Sequence, residues 1–111
     1  MDFAGIATEI RRRAVSLPNQ PWRGGVDDAL VSLVRLAMSG APGEPEFAHG
    51  FLLALAEVSG PAEFALASLD SLQPETIRRL DLVQNALVEG GLTRNDLRDA
   101  VRPALVKAVR E

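Results

Sequence analysis

The chain has no cysteine and no tyrosine, and only one histidine, one tryptophan and one lysine. Without cysteine there is no disulfide, no thiolate metal site and no cysteine nucleophile, a composition that fits a reducing cytoplasm. Aromatic residues make up 5% of the chain. The core must therefore be built from Leu, Val, Ala and Ile, with Phe3, Phe47, Phe51 and Phe64 as its bulky pieces. The longest unbroken apolar run, FLLALA at 51–56, stops at Glu57. A bilayer span needs about 18–20 apolar residues, so no membrane is expected. The first residues contain no apolar run of signal-peptide type. Their arginines would fit a mitochondrial presequence, but Asp2 and Glu9 oppose that.

What is present reads as one soluble domain. A length of 111 residues is enough for one substantial core, and 47% hydrophobic with 24% charged residues is ordinary for a globular protein. The net charge of −3 is unevenly spread. Residues 1–23 carry four Arg against two acids, residues 24–75 carry Arg35 against eight acids, and residues 76–111 carry seven bases against five acids. Mildly basic ends thus flank an acidic middle. A pI near 5.1 is not the footprint of a chain that lives on nucleic acid.

The apolar residues recur with helical spacing throughout, and no alternating run argues for a strand. The expected fold is all-α, a compact single-domain bundle of five to six helices spanning residues 1–111. Phe3, Ile6, Ala7, Ile10, Ala14 and Leu17 mark a first helix ended by Pro18. Val26, Ala29, Leu30, Leu33, Val34, Ala37 and Met38 mark a second, with Asp27 and Asp28 in its first turn and Gly40 as its cap. A third helix is expected over about 45–58 and, being apolar on every side from Phe51 to Ala56, should be the buried central one. Gly60-Pro61 opens a short fourth helix through Leu69. Gln73-Pro74-Glu75 opens a fifth with Pro at its first position, and Glu75 and Arg79 are spaced for an ion pair. The sixth begins at Thr93 with Asp96 three residues on, near a capping box. Its apolar phase runs through Pro103, which predicts one helix bent near residue 99. The short connections predict that sequential helices pack as neighbours.

Recognisable chemistry is sparse. Glu46 and His49 have a metal-ligand spacing, but a di-metal bundle needs that motif twice and the chain has one His. No Ser sits in a nucleophile elbow, and Gly24-Gly25 lacks the Lys of a phosphate loop. No catalytic residue, metal or cofactor is expected. Asp27/Asp28 are explained by the helix start, and Arg11-Arg12-Arg13 by the helix end they approach, with an anionic partner as the functional alternative.

Two features remain as partner-binding candidates. Trp22 and Arg23 lie in a Pro- and Gly-rich loop; they either pack on the second helix or stand out as an interface anchor. Arg94, Arg98 and Arg102 recur every four residues along the sixth helix. With Asn95 they suit a helix-turn-helix reading head, whereas Asp96 and Asp99 on the same helix do not.

The segment ALVSLVRLAMSGAPGEPEFAHGFLLAL at 29–55, with the Phe64–Leu69 to Leu72 spacing after it, resembles an uncharacterised proteobacterial domain family often carried on plasmids and other mobile elements. The resemblance implies a small accessory protein of a mobile element and no particular activity. The expected function is a non-enzymatic protein–protein interaction protein. It would be a phage- or plasmid-encoded inhibitor or regulator of a host or defence protein, in the manner of anti-CRISPR or anti-restriction proteins. A helix-turn-helix-like DNA-binding regulator using residues 76–110 and a structural homo-oligomer subunit are the alternatives.

Overall fold

The apolar spacing becomes six helices in the computed structural model, which describes residues 2–17, 25–39, 43–57 and 66–105, the side chains at 66, 67 and 105 excepted. They are α1 (Phe3–Ser16), α2 (Val26–Met38), α3 (Glu44–Leu55), α4 (Leu66–Asp70), α5 (Pro74–Glu89) and α6 (Arg94–Leu105). No strand occurs among the described residues. The fold is an all-α bundle with a radius of gyration of 13.1 Å, close to the ~13 Å expected of one compact domain this long. No described helix is long and apolar enough to cross a membrane.

Local chemistry sets several helix ends. Asp2 caps α1, its Oδ1 accepting from the Gly5 N–H at 2.9 Å. Pro74 occupies the first position of α5, where a missing N–H costs nothing. Glu75 and Arg79 make the expected pair at 3.2 Å. α6 continues through Pro103 to Leu105 as a single helix. The expected cap at Gly40 and the expected start of the fourth helix at Gly60-Pro61 lie outside the described residues.

α3 ends at Leu55, short of the expected 58. The Ala56 N–H still bonds to the Leu52 carbonyl at 3.0 Å, but the Glu57 N–H folds back to Ala54 at 3.1 Å. Glu57 then takes a left-handed φ of 58°, which no continuing helix permits.

The core is aliphatic around one aromatic contact set. α3 buries Phe47, Ala48, Phe51, Leu52 and Leu55, as its all-round apolar composition requires. The fully buried Phe51 ring stands 5.2 Å from Phe3 and 6.2 Å from Phe47, centre to centre, and so ties α1 to α3. α2 shares the centre, packing on α3, α5 and α6. The expectation that sequential helices pack side by side is met extensively only by α2 and α3; α1 instead lies on α5.

A polar seam explains why α1 prefers α5. Asp81 is buried, and its carboxylate accepts from Arg11 at 2.8 Å, from Gln84 at 3.2 Å and from Asn85 at 3.2 Å. Gln84 also donates to the Ala7 carbonyl at 3.1 Å. Ala7 opposite Gln84 and Arg11 opposite Asp81 make the two helices antiparallel. A second long-range bond sets the start of α5: the Gln73 N–H donates to the Glu44 carboxylate at the head of α3.

Asp81→Ala removes the acceptor shared by three donors, one of them the Arg11 guanidinium. Loss of hydrogen bonds in a buried network of this kind costs about 1–3 kcal/mol, and urea denaturation should show a lower midpoint with an unchanged slope.

Candidate functional site

The turn between α5 and α6 is built as its sequence predicts. Gly90 adopts φ 88°, where a side chain would be strained, and the Leu92 N–H reaches back to the Ala86 carbonyl at 3.1 Å while its side chain is buried. Thr93 Oγ1 accepts from the Asp96 N–H at 3.0 Å, and the Asp96 carboxylate accepts from the Thr93 N–H at 3.4 Å. These are the two reciprocal bonds of a capping box, with Asp in the place of Glu.

This start fixes the phase of α6. At 100° per residue, buried Leu97 and Val101 face the core, Arg94 and Arg98 flank them on one side, and Asp96 and Ala100 flank them on the other. The arginine side meets the end of α3. Arg98 Nε donates to the Ala56 carbonyl at 2.8 Å, satisfying an orphan acceptor of that helix end. Arg94 and Arg98 also stand 3.4 and 3.5 Å from the Glu57 carboxylate. Glu57 is more than half exposed, so these two contacts are weak and the carbonyl cap is the stronger tie. Arg102 and Asn95 are exposed. The structure therefore brings Arg94 and Arg98 together on α3 and leaves Arg102 apart from them. Trp22 and Arg23 lie outside the described residues.

The arginines of α1 are likewise engaged within the chain. Arg11 pairs with Asp81. Arg12 and Arg13 both hold Glu9, and Arg13 reaches Asp70 of α4 at 2.8 Å. The hydrogen bonds from Arg12, and then from Arg13, pull the Glu9 carboxyl down to about 2 from an ordinary 4.5. Among the described residues no three His, Asp or Glu side chains cluster closely enough to hold a metal ion.

The acidic side of α6 faces open space. Between it and α2 runs a groove of about 770 Å³. α2 contributes Asp27, Leu30, Val31, Val34, Arg35 and Met38; the turn and α6 contribute Gly91, Leu92, Asp96 and Ala100. Val31 is 48% and Met38 49% exposed, so much of the groove's apolar lining is open to water. The sequence reading missed this site. Its only local signal was Val31, an apolar residue outside the core stripe of α2; the second wall comes from a helix some sixty residues later and is a tertiary fact. Comparisons with known proteins return nothing: no family model, no curated protein and no solved structure matches the chain.

Three outcomes are expected. Arg98→Ala should destabilise the fold by about 1.5 kcal/mol, the low end of the range for a hydrogen bond with a charged partner because the bond is only part-buried, whereas exposed Arg102→Ala should stay within about 0.5 kcal/mol. Both are read by chemical denaturation. Glu57→Gly should be more stable than Glu57→Ala by about 1 kcal/mol, because glycine takes the left-handed conformation without strain. Glu9 has a folded-state pKa depressed below its unfolded one, so its stabilising effect is complete above pH 4.5 and lost as pH falls through about 2. The stability gap between wild type and Glu9→Gln should therefore close across that interval in a pH series of thermal melts.

Proposed function

We propose that this protein works by binding another protein and carries out no reaction of its own. The groove between α2 and α6 is the observation that supports this reading. Its apolar lining, about half exposed at Val31 and Met38, has a charged rim of Asp27, Arg35 and Asp96. Exposed apolar surface bordered by polar residues is characteristic of recognition sites. Nucleic acid is the less favoured partner. Arg94 and Arg98 already serve α3, and Asp96 and exposed Asp99 on the outer side of α6 would repel phosphate. The resemblance of residues 29–55 to a mobile-element family would make the role that of a phage- or plasmid-encoded inhibitor or regulator, with a host or defence protein as the partner.

The test is affinity capture with three tagged forms: wild type, the Val31→Asp/Met38→Asp double variant, and Val15→Asp, which alters an exposed valine on α1. A partner held by wild type and by Val15→Asp but lost from the double variant is the expected result. A partner retained equally by all three, or none retained by a folded wild type, would sink the reading.

A further inference from the structure

On α2 the groove is a stripe. Asp27, Val31, Val34 and Met38 succeed one another at intervals of four, three and four residues, which places them along one helix face. At about 1.5 Å per residue that face is about 17 Å long, the length of three helical turns. The opposite side is lined by the small residues Gly91 and Ala100, so a bound element lies over the seam where α2 and α6 meet. Alternating apolar anchors on a face of this length are what a single amphipathic helix meets when it docks in a groove.

The charges around the groove are lopsided. Asp27 and Asp96 line it, and exposed Asp28, Glu89 and Asp99 stand beside these residues or just before the turn; Arg35 is the single base in the lining. Among the described residues Asp27, Asp28, Glu89 and Asp99 have no cation within ion-pair distance. On the far side of α6, Arg94 and Arg98 are committed to the end of α3, and Arg102 is exposed outside the groove lining. The groove mouth thus carries an excess of acidic over basic side chains above an apolar floor.

We propose that the groove between α2 and α6 receives one amphipathic helix of a partner protein. The helix is about three turns long, lays aliphatic side chains against Val31, Val34 and Met38, and directs lysine or arginine toward Asp27 and Asp96. This rests on the protein-binding reading and adds the form and charge of the bound element. Rim acids with no cation partner attract such a helix and select its orientation, while the apolar stripe supplies most of its affinity.

Two synthetic amphipathic peptides test it. They share a leucine stripe; one carries lysines on its flanks and the other carries glutamates at the same positions. Each is titrated into the whole protein, with fluorescence anisotropy reporting binding and circular dichroism reporting helix formation. The lysine peptide should bind, gain helicity and weaken as salt is added, and the glutamate peptide should not bind. Placing a carboxylate in the apolar contact should weaken the lysine peptide roughly tenfold or more in Val31→Asp and in Met38→Glu; both positions are half exposed and tolerate it in the free protein, which an unchanged melting curve verifies. Asp27→Asn should weaken it less and flatten its salt dependence. Equal binding of the two peptides, or undiminished binding to both groove variants, overturns the proposal. If neither peptide binds while the capture experiment still yields a groove-dependent partner, the cationic helix is wrong and the protein-binding reading stands. If captured partners ignore the groove variants, that reading falls with it.

Discussion

Much of this fold follows from one helix whose second half has no polar face to leave in water. α3 carries apolar residues all round its second half, so it must be covered on several sides at once. With few aromatics in the chain, the covering is done by aliphatic helices, and Phe51 with its two phenylalanine neighbours is the main large contact. α2 covers α3 and also reaches α5 and α6. A helix placed among three neighbours needs a wide apolar arc. That width is what leaves Val31 and Met38 at the margin, apolar but only half enclosed. The groove is thus the outer edge of the same arc that closes the core.

Charge is used differently on the two sides of the bundle. Arg11, Arg13 and Arg98 each bridge helices that are distant in sequence, to Asp81, to Asp70 and to the Ala56 carbonyl. Such contacts add little to stability when fully exposed, but those that reach a buried carboxylate or a helix-end carbonyl also fix which helix lies on which. The acids near the groove have no such duty. Among the described residues most arginines tie parts of the chain together, whereas the acids around the α2–α6 groove have no cation partner, and Asp96 serves only the start of its own helix.

Helix identity was legible in the residues because it depends on spacing and punctuation. Gly90, Thr93 with Asp96, and Pro74 each produced the end or start that their local chemistry dictates. The end of α3 was less legible, since the apolar pattern continues to residue 58 and nothing local announces a left-handed Glu57. Neighbour relations were least legible. The Asp81–Gln84 seam looks like any polar stretch of an amphipathic helix until Arg11 and Ala7 are placed against it. The arginine edge of α6 stood out by its four-residue recurrence, yet recurrence gives only a face, and what that face meets depends on where α3 ends. The groove was hidden for the same reason, having one wall from each of two distant segments.

The carboxylate of Glu44 on the Gln73 N–H joins residues twenty-nine positions apart. Only α1 and α6 are shown to begin on a side-chain cap made within a few residues, by Asp2 and by Thr93 with Asp96. α5 has no side-chain cap of its own, and its leading amide is satisfied by the first turn of α3. That amide therefore exchanges water for a protein partner only where α3 is in place, so tertiary packing adds to the local preference for helix at this end. Since α5 also carries the seam to α1, this one contact links the start of α3 to the helix on which α1 lies.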